Sequence, residues 1–506
     1  NIVGLSVKRT DPEKCGKREP EKRMRQTTDI LNIIPYPEKV QINSQSKSDI
    51  LRAAVTYTKD PAAGKEGYRM EFDRNTVHIF FADDGGKFYA GQTLNQLRLQ
   101  RRIPHFSIQD HPKYEYRGFS LDCARHAFKI EDIKKLIDAA ALFKLNRFHW
   151  HLTDDQGWRI EMKSQKRLNE IGSARSCSAF GGKIDKREYR ALYTQDEIKE
   201  ILAYCKERHI EVIPEIDIPG HASAILASYP NLSCTGRPVD VQTKQGIFNN
   251  TLCVSREKVY SFVFSVLDEI CELFPYEYIH IGGDETPTKS WENCPDCRRM
   301  KEQLGLKNFH ELQSVFTNRI ADHLKKKGKK AIVWNESLKG GMLNPEEICV
   351  QHWLGGNASF RFAEKGGKVI ESDFFHYYCD YPFGMTPLKK TYVFQPEKNY
   401  QKSAGQKPYG IEAEIWTEYI RDFNTLCYRY FPRLPAISET AWGYKTSYAA
   451  FTERFRCIEP MLKKNGIFPA PEKERDLNPL LRVPDILHFF SGSLCPRKTK
   501  CNIDIK

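Results

Sequence analysis

The chain has 506 residues, 40% of them hydrophobic, and its 78 basic and 65 acidic side chains give a formal charge of +13. That length exceeds one ordinary domain and fits a barrel with a smaller companion. No run of about 18 apolar residues occurs, so no membrane-spanning helix is expected. The basic residues form no recognisable nucleic-acid module; their densest run, Lys325–Lys330, reads as the end of a helix capped near Gly328, where cations are favoured.

Residues 1–28 are polar and basic and read as a flexible lead-in, not a secretory signal. From residue 29 to about 112 the pattern is that of a small α/β domain. Val77–Phe81 predicts a strand. Gly86–Arg101 predicts a helix with Ala90, Leu94, Leu97 and Leu99 as its apolar contacts. A break is expected between Pro104 and Tyr114.

From 113 to 465 the rhythm becomes strand, then helix, repeated. The apolar runs are Gly118–Cys123, Arg147–Leu152, Glu211–Ile216, Tyr278–Ile281, Ala331–Trp334, Cys349–Trp353, Val369–Phe375 and Ile411–Trp416. Amphipathic stretches such as Ile130–Phe143, Thr194–Arg208, Ser255–Phe274 and Asn308–Lys327 separate them. Eight runs predict an α/β fold of the (β/α)8 barrel type. Residues 466–506 are Pro-rich and irregular and read as a C-terminal tail.

The ends of these runs carry polar and aromatic side chains: Asp122 and Arg125, Asp154 and Asp155, Asp217 and His221, Asp284 and Glu285, Trp334 and Glu336, Trp353, Tyr378 and Asp380, Trp416 and Glu418. Barrel active sites lie at the C-terminal ends of the strands. Tryptophan faces stack on pyranose rings, and carboxylates and arginine bind hydroxyls, so the combination points to a carbohydrate. Most glycosidases place two carboxylates about 5 Å apart or more across the scissile bond. Neighbours on a strand point to opposite faces, so Asp284 and Glu285 make an awkward pair of that kind. They fit better if one protonates the leaving oxygen while the other holds a different substrate group.

Two other classes stay open at this point. His149-Trp150-His151 has the H-x-H spacing of a metal-dependent barrel hydrolase, with His221 and Asp284 to complete a site. It lies on the second strand, however, inside the apolar run, where packing with satisfied ring nitrogens is the plainer reading. A carbohydrate-binding pseudoenzyme would retain the aromatic residues without the acids.

The 15 cysteines are scattered. Cys123, Cys205, Cys271 and Cys349 fall in core elements and read as buried thiols. Cys294 and Cys297 form the one close pair. A zinc site wants a second such pair, and none follows, so a local disulfide or free thiols is the expectation.

The blocks YRGFSLDCARHAF (116–128), NRFHWHLTDDQGWRIE (146–161), PEIDIPGHASA (214–224), HIGGDE (280–285), EAEIWTE (412–418) and FPRLPAISETAW (431–442), in this order, resemble glycoside hydrolase family 20, the β-N-acetylhexosaminidases. The resemblance runs from Ile30 to about Gly466. It implies exo-hydrolysis of terminal β-linked GlcNAc or GalNAc with retention, through an oxazolinium formed by the substrate's own acetamido group. Glu285 would be the general acid and base, with its acidity lowered by burial and by Asp284. Asp284 would orient the acetamido group, Tyr378 would donate to its oxygen, and His221 paired with Asp154 would lie beside Glu285. Arg125, Asp380 and Glu418 would bind hydroxyls. Trp416 would floor the ring, and Trp334 and Trp353 would wall the acetamido pocket. Asp217 and Asp155 would support from behind. Arg125 and Glu418 together would close the terminal-sugar pocket, which disfavours release of disaccharides. No metal or organic cofactor is implied. The implied partner is a glycan, with no nucleic acid and no membrane span, and a homodimer is left open. An extracellular or periplasmic setting fits the family, whereas the thiol content also suits a reducing cytoplasm. Segments 173–188 and 235–250 lie outside the motif blocks and are expected to shape subsites beyond the terminal sugar or an oligomer interface.

Overall fold

The computed structural model describes residues 31–182, 184–403 and 407–490. The expected lead-in, and the part of the tail beyond residue 490, lie outside them.

The first unit is a five-stranded sheet in the order β1 (Lys39–Asp49), β5 (Arg102–Asp110), β3 (Tyr68–Asp73), β4 (Thr76–Phe81), β2 (Ala54–Lys59). A helix at Asp84–Arg98 covers it, started by Asp83, whose side chain accepts from the N–H of Gly86. Tyr89, Ala90, Leu94 and Leu97 of that helix are buried against the sheet, whereas Leu99 is 44% exposed. The helix stops short of the expected Arg101 because the chain must turn into β5. Pro104 is consequently a strand residue, and the break comes later, between Asp110 and Tyr116.

Eight parallel strands then close a barrel: β6 (Tyr116–Asp122), β7 (Arg147–His151), β8 (Glu211–Glu215), β9 (Tyr278–His280), β10 (Lys330–Trp334), β11 (Ile348–His352), β12 (Lys368–Glu371) and β13 (Gly410–Ala413). Each matches one apolar run. Buried on both faces, such strands read as nearly continuous hydrophobic segments. The run Val369–Phe375 overreaches: β12 ends at Glu371, and Asp373 caps a helical turn at Phe374–Tyr377 by accepting from the N–H of Phe375. The intervening helices follow the amphipathic stretches. Gln195–Lys206, for example, opens with a reciprocal capping box between Thr194 and Glu197.

The sheet is riveted to the barrel by buried charge. Lys144 Nζ donates to Asp110 Oδ2 at 2.8 Å and to the Tyr68 hydroxyl at 2.9 Å, and Trp442 Nε1 donates to Asp110 Oδ1 at 2.7 Å. Removing one member would strand the other's charge in apolar surroundings.

The barrel interior is layered. Toward the strands' N-terminal ends Tyr116, Ile213, Tyr278, Ile332, Cys349 and Ile370 form a small apolar cluster. Above it lies a layer of buried polar groups, including His149, Glu215, His280, Gln351, Glu412 and Glu414. Above that the strands open onto the rim.

Candidate active site

Parallel pairing puts Asp122 beside His151, His151 beside Glu215, and Glu215 beside His280. The side chains of this layer bond to one another. His149 engages Glu412 through Nδ1 at 2.8 Å and Glu215 through Nε2 at 3.0 Å. Burial opposes charge on His149, but Glu412 and Glu215 outweigh it and hold it up at about 10. His151 bridges Glu215 and, at 3.1 Å, Asp154. Trp334 Nε1 donates to Glu215 Oε1 at 2.7 Å. Gln351 donates to Glu412 and Glu414 at 2.7 and 2.6 Å. The ring nitrogens of His149 and His151 are therefore spent on carboxylates, as the packing reading of the H-x-H expected.

This layer carries the rim. His151 leads to Asp154, whose Oδ2 lies 2.5 Å from Arg125 Nη2 and whose Oδ1 lies 3.2 Å from His221 Nδ1. Asp155 also contacts His221 Nδ1 at 3.2 Å and accepts from the N–H of Ser223 at 2.9 Å, which fixes the loop after β8. Burial disfavours charge on His221, but Asp154 and Asp217 prevail and raise it well above the usual histidine range. The far nitrogen of that imidazolium, Nε2, lies 3.8 Å from Asp284 Oδ2 and 3.6 Å from Glu285 Oε2.

The two glycines before these acids have a steric reason. Gly282 and Gly283 take φ of +65° and +95°, and a Cβ on Gly282 would meet Asp217 Oδ1 at 1.7 Å. Asp217 Oδ1 in turn accepts from the N–H of Gly283 at 3.1 Å. His221 and Glu285 have φ of +43° and +40°, a conformation that costs a non-glycine residue energy and is concentrated at functional positions. The N–H of Glu285 is held by Glu336 Oε2 at 2.6 Å.

Burial falls more heavily on Asp284 than on Glu285, with side-chain exposures of 16% and 33%. Desolvation, opposed by His221 but reinforced by Glu215, Glu285 and Glu336, lifts Asp284 to about 7. Asp380 is lifted to about 8, by burial first and then by Glu418.

Arg125, Asp154, His221, Asp284, Glu285, Trp353, Tyr378, Asp380, Trp416 and Glu418 all line one cavity of about 350 Å3. Trp353 stacks on Tyr378, with centroids 6.0 Å apart and planes at 24°. Asn335 places Trp353 by accepting from its N–H at 3.0 Å. Arg125 lies over Trp416 at 5.2 Å and reaches within 3.9 Å of Glu418. Of the expected site residues, Trp334 alone stands back. It is 1% exposed and lies behind Trp416, their centroids 5.9 Å apart. Four buried polar atoms with no protein partner belong to residues lining this cavity: His221 Nε2, Asp284 Oδ1, Trp353 Nε1 and Asp380 Oδ1.

Sequence reasoning missed part of the wall. Phe489 and Phe490, in the tail, end a helix at Pro479–Phe490 and border the cavity with Tyr381 and Tyr419. Gln245, Gly246 and Ile247, from segment 235–250, border it too. Phe489 packs on Tyr419 with centroids 4.5 Å apart. No motif marked the two phenylalanines; an aromatic pair ending an otherwise apolar amphipathic stretch was the available signal.

Residues 114–445 match the profile of the glycosyl hydrolase family 20 catalytic domain, and residues 16–111 match domain 2 of that family. The chain belongs to glycosyl hydrolase family 20. It is a glycoside hydrolase of mixed α/β fold. A β-hexosaminidase of Porphyromonas gingivalis is 36% identical over 469 residues, spanning 87% of this chain; the match spans 59% of that longer relative. A solved β-N-acetylhexosaminidase superposes with a TM-score of 0.82 at 31% identity, covering 88% of this chain and 98% of that one. An exo-β-N-acetylglucosaminidase of Vibrio harveyi, solved in complex with N-acetylglucosamine, superposes with a TM-score of 0.77 at 28% identity, covering 87% of this chain and 78% of that one.

Proposed function

We propose that this family 20 hydrolase is an exo-acting, retaining β-N-acetylhexosaminidase that uses the substrate's acetamido oxygen as nucleophile. The observation that carries the reading is the pairing of a half-buried Asp284 with a more open Glu285, both within 4 Å of the His221 imidazole, in a cavity walled by the stacked Trp353 and Tyr378.

The chemistry follows from charge. Asp284 retains a proton near neutral pH because its anion is poorly solvated. An amide N–H of the substrate donating to Asp284 would favour its ionised form. The neighbouring acid, Glu285, is the more open of the two and faces the leaving oxygen. As the acetamido oxygen attacks C1, positive charge grows on the amide nitrogen, and Asp284 stabilises it. Burial holds the Tyr378 phenol well above its usual range, so it stays a hydrogen-bond donor to the acetamido oxygen. Glu285 protonates the departing oxygen and afterwards takes a proton from water. Two inversions at C1 give retention. Arg125, Glu418 and Asp380 grip the hydroxyls of the terminal sugar, and the contact between Arg125 and Glu418 closes that end. The apolar sugar face rests on Trp416.

The test compares an aryl β-N-acetylglucosaminide with the matching aryl β-glucoside. Cleavage of the first at least a thousand times faster in kcat/KM supports the reading. Comparable rates on both would mean a nucleophile supplied by the protein, and the roles of Asp284 and Tyr378 would be lost.

A further inference from the structure

Away from the cavity, four cysteines that are far apart in sequence meet. Cys234 and Cys253 lie in the excursion after β8; Cys294 caps the helix Pro295–Gln303 after β9, and Cys297 sits in its first turn. Their sulfurs all lie within 4.8 Å of one another. The closest separations are 3.7 Å for Cys253–Cys297, 3.9 Å for Cys234–Cys297 and 4.0 Å for Cys253–Cys294. This corrects the expectation that Cys294 and Cys297 lack a second pair. The partners exist as two single residues from an earlier loop, brought in by the parallel order of β8 and β9.

We propose that these four thiolates bind one structural zinc ion. A disulfide requires sulfurs about 2.05 Å apart, and all four cysteines are free. A tetrahedron with zinc–sulfur bonds of about 2.3 Å has edges of about 3.8 Å; three of the six separations lie at 3.7–4.0 Å and the other three within 4.8 Å. Two packed thiols can also touch at such a distance. Four sulfurs within 4.8 Å of one another are another matter, since an apolar core gains nothing from gathering weak donors round a common centre.

The surroundings suit the charge. Binding would release the thiol protons to solvent and leave a net charge of −2 on zinc and four sulfurs. The Ser255 hydroxyl lies 3.4 Å from the Cys253 sulfur and 3.3 Å from that of Cys297. The Arg256 guanidinium spans the carbonyls of Ser233 and Cys234 at 2.9 and 3.0 Å. Cys294 and Cys297 sit at the positive end of their helix, which favours thiolates. Cys253, Cys294 and Cys297 are buried, while the half-buried Cys234 leaves a way in.

Such a site would join the excursion carrying His221 to the one carrying Asp284 and Glu285. It would act on the reaction only by holding those loops in register. Loss of activity on chelation would then report a loosened loop pair and would be no sign of a metal at the sugar.

The experiment measures metal content by mass spectrometry on the full chain, purified without chelator and then equilibrated with one equivalent of zinc and desalted. The expected result is one zinc per chain in the wild type and less than a tenth in Cys294→Ser/Cys297→Ser, with a lower melting temperature for that variant. Because the variant could fail to fold, the wild type is also alkylated under native conditions. Cys234, Cys253, Cys294 and Cys297 should be at least tenfold slower to react than after treatment with a strong zinc chelator. Disulfides mapped among the four, iron in place of zinc, no bound metal in the wild type, or full zinc retained by a folded variant would each overturn the proposal.

Discussion

The middle of the barrel and its rim use the same residue types to opposite ends. In the middle layer His149 and His151 meet carboxylates through both ring nitrogens, and Glu412 is matched by His149 and Gln351. At the rim His221 Nε2, Asp284 Oδ1 and Asp380 Oδ1 are buried with no protein partner. A buried polar group that is satisfied rigidifies, and one that is not is held ready for something else. The middle layer has such atoms too, His280 Nε2, Gln351 Oε1 and Glu414 Oε2, but they lie on residues that do not line the cavity, so what separates a structural charge from a functional one here is whether its unpaired atom belongs to the cavity wall.

The sharpest break of that comparison is Glu285→Gln. It removes a proton donor at the rim while leaving every middle-layer bond intact. For a substrate with a poor leaving group, kcat should fall by about 10^3-fold, within the range for loss of general acid catalysis. An activated aryl glycoside, which needs little protonation, should lose far less, and the melting temperature should hold within a degree or two. Equal losses on both substrates would remove Glu285 from the acid's role.

Glu215→Gln, one layer down, should do the reverse. Glu215 accepts from His151 and Trp334 and pairs with His149. A neutral amide there leaves histidinium charge short of a partner, at a cost of about 3 kcal/mol. Denaturant unfolding should show the loss, and activity per folded molecule should fall less than in Glu285→Gln. A variant as stable as the wild type would mean that the bonds to Glu215 do not hold the middle layer together.

Much of this contrast was legible in the sequence. The eight apolar runs predicted eight strands because a parallel barrel buries both strand faces, and the polar residues at their C-terminal ends predicted the rim. Of the middle layer, only His149 and His151 read as packed inside a strand; Glu215, His280, Gln351 and Glu412 go unread, because one-dimensional order does not say which histidine faces which carboxylate. That depends on the register that sets His151 beside Glu215. Trp334 shows the same limit: a tryptophan at a strand end predicts a wall, and here it packs behind Trp416 with its Nε1 on Glu215 instead. Phe489 and Phe490, the cysteine cluster and the overreach of the run at β12 depended on how separate loops fold back over the barrel, where neither periodicity nor local spacing carries information.

The smallest predicted effect is also the most discriminating. Asp284→Asn keeps the shape of the rim but removes a charge that its surroundings disfavour. Asp284 sits at about 7 in the folded protein against an ordinary 3.8. Below the lower value it is protonated whether folded or not and contributes nothing. Between the two, the folded state binds a proton that the unfolded chain has released, so stability falls as pH rises; above about 7 the whole penalty is present. The asparagine variant escapes it. At pH 8 it should be more stable than the wild type, and the two should converge as the pH falls toward 4. Its activity should drop on aryl and alkyl N-acetylglucosaminides alike, because the acetamido step serves both. Paired melting curves at pH 5 and pH 8 decide the matter. If the variant is the less stable at pH 8, then Asp284 is anchored by its protein neighbours like the carboxylates beneath it, and the distinction between the two layers fails at the residue on which it matters most.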